Sequence, residues 1–154
     1  MKKIIFLDFD GVMDTAYYDH SLSILGLPQT DKWGPVIDPK CIENLQTIIN
    51  ATGADIVVSS TWKDSMTYQE ILEMWKERNL PGFVTDVTPT MSSHRGHEID
   101  EWLFLCKREC RYVIIDDLDS YNFNDDQMPY LLCVSPFDGL TEDIAARAID
   151  ILNH

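Results

Sequence analysis

Three apolar runs in this chain end on oxygen-bearing side chains, and those side chains are the ones able to do chemistry. The first run, FLDFDGV, places Asp8 and Asp10 one residue apart and follows them with Gly11. The second, ADIVVSSTW, ends in Ser59 and Ser60, and the third, YVIIDDLDS, ends in Asp116 and Asp117 with Asp119 close behind. Arg95 precedes the third run by about twenty residues, counted along the chain. Carboxylates gathered in one place repel one another, at a cost of several kcal/mol where the local dielectric is low. A hard divalent cation relieves that repulsion. Mg²⁺ takes oxygen ligands and keeps several waters, so one or two carboxylates plus substrate oxygens suffice. A serine hydroxyl and a guanidinium could then hold the remaining oxygens of a phosphate. Such parts suit phosphoryl transfer, where positioning and charge stabilisation supply most of the catalysis.

These residues can meet only if the elements carrying them are arranged side by side. Five apolar runs read as buried strands, at 3–8, 55–59, 82–87, 112–116 and 131–135. Most are continuous rather than alternating, as expected of parallel strands covered on both faces. Four helical patterns lie between and after them. The stretch 37–53 has Asp38 as cap, Pro39 at the first position, an Ile42, Leu45, Ile48 and Ile49 stripe, and Gly53 as stop. Further helices are expected over 67–79, 94–110 and 140–153, the last capped by Thr141 with two acids in its first turn. Alternating strands and helices predict a three-layer, doubly wound α/β fold on a mainly parallel five-stranded sheet with right-handed crossovers. Ligands in such sheets sit beyond the carboxyl ends of the strands, which is where Asp8, Asp10, Ser59, Asp116 and Asp117 fall.

The order and spacing of DFDGV, a strand ending in Ser, a basic residue and a strand ending in DD resemble the four-motif signature of the haloacid dehalogenase-like (HAD) phosphohydrolase superfamily over nearly the whole chain. More narrowly, SSTW, HRGHEIDEWL, YVIIDD and GLTEDIAARAIDIL look like the small HAD domains associated with RNA-repair proteins. The resemblance implies a HAD-like, Rossmann-like fold and a Mg²⁺-dependent phosphatase. It implies Asp8 as a nucleophile that becomes an aspartyl-phosphate, and Asp10 as general acid and base. It implies that Asp8, the backbone carbonyl of Asp10, and Asp116 hold Mg²⁺, with Asp117 a direct or water-mediated ligand. Ser59 would bond the phosphoryl group and Arg95 would stabilise developing charge. An acid at position 10 goes, in that family, with phosphate-ester hydrolysis. Ser59 is preferred to Ser60 because it comes first after the apolar run. Arg95 stands where lysine is more usual, with Lys63 an alternative cation. Asp119 is read as a loop carboxylate.

Competing readings of the same residues are weaker. A calcium hand starting at Asp8 needs glycine and glutamate where Met13 and Asp19 stand. A phospho-acceptor signalling domain also collects acids on a five-stranded sheet, but there the paired acids come early and the acceptor Asp mid-chain. A non-catalytic binding domain would have lost part of the constellation, and none is missing.

The bulk properties set the frame. The chain has 154 residues, 45% hydrophobic and 25% charged, and reads as one domain over 1–154. A formal net charge of −14 argues against broad nucleic-acid binding, which needs a basic footprint. It leaves room for a phosphorylated substrate, since a metal and one or two cations supply the local field. No apolar run reaches the ~18–20 residues that span a bilayer, and MKKIIFL is too short for a signal peptide, so a cytoplasmic protein is expected. Cys41, Cys106, Cys110 and Cys133 have no paired metal-binding spacing and read as reduced thiols in or near the core, with Cys106 and Cys110 on one helix. His94 and His97 read as surface residues near the site. Trp75 and Trp102 read as core, Trp33 and Trp62 as candidates for the rim of the site, and the acidic stretch 122–130 as a solvated loop. Neither stretch between the motifs is long enough for a separate cap domain. An open site of this kind favours a phosphate projecting from something large, such as a nucleic-acid end or a phosphoprotein, unless the 14–37 segment folds over it as a lid to admit a nucleotide or sugar phosphate.

Overall fold

The computed structural model describes residues 1–90 and 94–154. At its centre is a five-stranded sheet made of β1 (Lys2–Leu7), β4 (Asp55–Val58), β5 (Val84–Val87), β6 (Cys110–Asp116) and β7 (Leu131–Cys133). The strand order is β5-β4-β1-β6-β7 and every pairing is parallel. The anticipated doubly wound α/β sheet is therefore the fold. The apolar runs are continuous because successive side chains point to opposite faces, and both faces are covered. On β1, Ile5 and Leu7 join a large core with α2 (Pro39–Thr52), α3 (Tyr68–Glu77) and α5 (Glu142–Asn153), represented by Leu45, Ile71 and Ala148. Ile4 and Phe6, on the other face, meet Ile99 of α4 (Arg95–Cys106) and Phe123 in a second core.

The caps follow the sequence closely. Asp38 accepts from the Lys40 N–H at 2.9 Å, Pro39 occupies the first turn, and Gly53 ends α2 in a left-handed conformation. Thr67 and Glu70 form a reciprocal capping box at the start of α3. Thr141 caps α5.

Four expectations need correction. The helix expected over 94–110 stops at Cys106, because Lys107 takes a left-handed conformation (φ 53°) and Cys110 already belongs to β6. No glycine marks that stop. The stretch 122–130 is no solvated loop: 3₁₀ helices at Ser120–Asn122 and Asp125–Tyr130 carry a buried Gln127. The segment after the first motif is richer than one helix, with α1 (Ala16–Ile24) and a short hairpin of β2 (Thr30–Asp31) and β3 (Gly34–Pro35) ahead of α2. Finally, Cys133 is exposed rather than near the core, while Cys41 is buried and burial pushes its thiol up to about 12.

Among the described residues no helix is long and apolar enough to cross a membrane.

Candidate active site

The sheet ladder continues one residue past β1 and β4, and that continuation builds the site. The Asp8 N–H donates to the Ile115 carbonyl at 3.1 Å, and the Ser59 N–H to the Leu7 carbonyl at 2.9 Å. Asp8, Ser59 and Asp116 thus sit side by side at the carboxyl edge of the three central strands. All three are buried. Carboxylate oxygens of Asp8, Asp116 and Asp117 lie within 4.8 Å of one another. The acids of the first and fourth motifs, over a hundred residues apart in the chain, meet in one cluster.

Gly11 allows the close approach. Its φ of +78° is costly for any side chain, and a Cβ there would lie 2.4 Å from the Asp117 carboxylate and 3.0 Å from the Pro136 ring. Asp8 Oδ1 accepts from the Phe9 N–H at 2.9 Å, and Asp116 Oδ1 from the Leu118 N–H at 3.0 Å. These bonds fix the carboxylates in orientation but do not neutralise them.

Arg95 is the cation of the pocket. Its Nη1 lies 2.6 Å from Asp116 Oδ2 and 3.6 Å from Asp8 Oδ1, and it donates to the Ser59 carbonyl at 2.6 Å. Even so, burial, followed by the Asp116 charge, pushes the Asp8 carboxyl up to about 9. Burial raises Asp116 as well, against the pull of Arg95. One guanidinium does not balance three clustered acids.

Lys63, the alternative cation, is engaged elsewhere. Its buried Nζ lies 3.2 Å from both carboxylate oxygens of Glu98, one turn along α4 from Arg95. Ser59 and Ser60 also differ. The Ser60 hydroxyl accepts from the Trp62 N–H and caps the 3₁₀ turn Thr61–Asp64. The buried Ser59 hydroxyl has no hydrogen-bond partner among the described residues. Asp119 caps the turn Ser120–Asn122, consistent with a loop carboxylate. His94 caps α4 and stacks on His97 at 3.9 Å.

The Asp10 carboxylate stands apart from the acid cluster. It is exposed, and its Oδ1 accepts from the Trp62 indole N–H at 2.9 Å. Trp62 itself is buried, so it backs the site rather than forming its rim. Trp33, the other rim candidate, packs against the large core and donates to Glu77 on α3. Trp75 is core, whereas Trp102 is half-buried, edge-on to Phe6 and bonded to Asp86.

One positioning device escaped the sequence reading. Gln127, in the stretch taken for a loop, donates to the Gly96 carbonyl at 2.9 Å and accepts from the Asn124 N–H at 2.9 Å. It clamps the first turn of α4, next to Arg95. Gly96 has no room for a side chain, since a Cβ would meet Gln127 Oε1 at 2.6 Å and the Phe123 backbone at 2.8 Å. The Asn124-x-x-Gln127 spacing of a capping box was the available signal.

Comparison with known proteins adds one positive finding. Neither the curated proteins nor the solved structures contain a match to this chain. The family model described as the HAD domain in Swiss Army Knife RNA repair proteins matches residues 4–145, from the second residue after Lys2 to the first turn of α5, and the chain belongs to that family.

Proposed function

We propose that this protein is a Mg²⁺-dependent phosphatase that hydrolyses a phosphate monoester through an aspartyl-phosphate on Asp8. HAD domains are generally hydrolases of the phosphatase type. The observation that carries the reading is the meeting of Asp8, Asp116 and Asp117 within 4.8 Å at the carboxyl edge of the sheet, with Arg95 against two of them.

The donor set suits a hard cation. It offers oxygen ligands only, and at the buried Asp8 and Asp116 burial raises the carboxyls, with the charge of the neighbouring acid adding to the rise at Asp8. Asp8, Asp116 and the Asp10 carbonyl would hold the ion, with Asp117 bound directly or through water. Once bound, the ion supplies positive charge that offsets both the clustered acids and the phosphoryl oxygens.

The residues then have distinct tasks. Asp8 Oδ attacks phosphorus, and the bond from phosphorus to the leaving oxygen breaks as the new O–P bond forms. The exposed Asp10 carboxyl gives its proton to that oxygen. A water then attacks the aspartyl-phosphate while Asp10 takes its proton, releasing inorganic phosphate and restoring Asp8. Ser59 has a hydroxyl free to donate to a phosphoryl oxygen. Arg95, already 3.6 Å from Asp8, stabilises charge on the transferring group.

The substrate proposed is a phosphate carried on something large, such as a nucleic-acid end or a phosphoprotein. Residues 11–38 hold a nine-residue helix and a two-residue-per-strand hairpin, too little for an independent cap. The test is Mg²⁺-dependent phosphate release from end-labelled oligonucleotides and a panel of small phosphate esters, by the wild type and Asp8→Asn. Equal activity in both proteins refutes the nucleophile, and turnover confined to small esters refutes the open-site substrate.

A further inference from the structure

We propose that Trp62 is a positioning residue for Asp10, its indole N–H aiming the carboxyl that exchanges protons during hydrolysis. The inference rests on the phosphatase reading above and deepens it.

Asp10 is the one acid of the first motif that faces solvent, and an exposed Asp side chain is free to swing between rotamers. A general acid must instead hold its proton within hydrogen-bond reach of the leaving oxygen. The Trp62 Nε1–H reaches Asp10 Oδ1 at 2.9 Å. An indole N–H is a donor with no lone pair, so it anchors the carboxyl without competing for the proton to be transferred. The buried Asp14 also lies against the Asp10 side chain, and burial together with its hydrogen bond to Asp10 raises its carboxyl to about 8. Trp62 thus shares the contact with an acid while supplying the donor that carries no exchangeable carboxyl proton.

The indole is itself held on several sides. Phe9 meets it edge-on at 4.9 Å, and the Arg78 guanidinium lies 5.7 Å from its ring centre. Arg78 is locked in turn by two bonds to Asp31, at 2.7 and 3.2 Å, and by the Gly34 carbonyl at 3.2 Å. Gly34 lies flat against the indole, for a Cβ there would sit 3.6 Å from the ring. The Ser60 cap fixes the Trp62 backbone. A tryptophan 7% exposed, wedged between the β2–β3 hairpin and the core, therefore presents its single polar atom to the proton-exchanging residue.

The variant Trp62→Phe keeps a ring and removes the N–H. The assay is kcat/KM, which reports phosphoenzyme formation, on p-nitrophenyl phosphate and on glycerol phosphate, an alkyl ester whose poor leaving group needs the acid. The expected result is a loss on the order of 10-fold or more on glycerol phosphate, with p-nitrophenyl phosphate nearly unaffected and KM unchanged. Equal losses on both esters, or none on either, overturn the proposal. Asp10→Asn separates this from the reading beneath it. If Asp10→Asn keeps full activity on glycerol phosphate, the role given to Asp10 fails. If Asp10→Asn is inactive but Trp62→Phe shows no leaving-group dependence, only the role of Trp62 fails. Should Trp62→Phe not fold, the ¹H–¹⁵N indole resonance of Trp62 decides: it moves between wild type and Asp10→Asn if the contact exists in solution, and an unmoved resonance overturns the proposal.

Discussion

Replacing Asp8 by Asn should abolish phosphate release and at the same time make the metal-free protein more stable. Burial raises the Asp8 carboxyl from 3.8 to about 9. An acid raised on folding stabilises the native state fully below its unfolded value and loses that contribution as pH climbs toward its folded value. At pH 7 about three pH units separate the solution pH from the unfolded value, and at 1.36 kcal/mol each they set a ceiling of ~4 kcal/mol on the penalty. Asparagine is neutral without taking up a proton and keeps an oxygen to accept from the Phe9 N–H, though it gives up the ionised carboxylate's attraction to Arg95. A net gain of about 1–3 kcal/mol in EDTA is expected, on the scale of single-site effects. The wild type should lose stability between pH 5 and pH 8 without metal, and Asp8→Asn should lose less. Mg²⁺ at a hundred times its dissociation constant should return ~2.7 kcal/mol to the wild type and less than half of that to Asp8→Asn. The assay is urea unfolding followed by tryptophan fluorescence, with EDTA or Mg²⁺, at the two pH values. If Asp8→Asn is less stable in EDTA and Mg²⁺ stabilises both proteins equally, the acid cluster is not a cation site and the reasoning fails.

Ser59 and Ser60 should separate cleanly by alanine substitution. Ser59→Ala removes a hydroxyl with no partner, so stability should hold while kcat/KM falls about tenfold; Ser60→Ala loses the cap on the Trp62 turn and should cost ~1 kcal/mol in a urea titration. Lys63→Met takes the cation from a pair in which both side chains are 5% exposed, and a loss on the order of 3 kcal/mol in the same titration is expected. Gly96→Ala forces a methyl group against Gln127 and the Phe123 backbone, which should cost ~1–3 kcal/mol and reduce turnover further by displacing Arg95.

Motif acids and strand runs were legible from the chain because each is a local pattern. A continuous apolar run must be buried on both faces, an Asp-x-Asp-Gly step at its end must leave the sheet sharply, and Asp38, Pro39 and Gly53 bracket α2 by rules that act within a turn. Where a boundary has no such local mark, the sequence reading erred. Lys107 takes the left-handed stop that a glycine would have announced. Gln127 looked like one more polar residue in an acidic loop, and its burial depends on Gly96 approaching from 31 residues away.

The same division holds at the site. Sequence by itself determined which residue types line the carboxyl edge, since strand ends and topology place Asp8, Ser59 and Asp116 there whatever their neighbours do. Tertiary structure alone decided which partner each one keeps. It gave Ser60 to a cap and left Ser59 open, turned Lys63 to Glu98 and Arg95 to the acids, and set the Trp62 indole against Asp10. Those choices turn on contacts of a few ångströms between segments distant in the chain, and hydrogen bonds and ion pairs fall off too steeply with distance for sequence spacing to select among them.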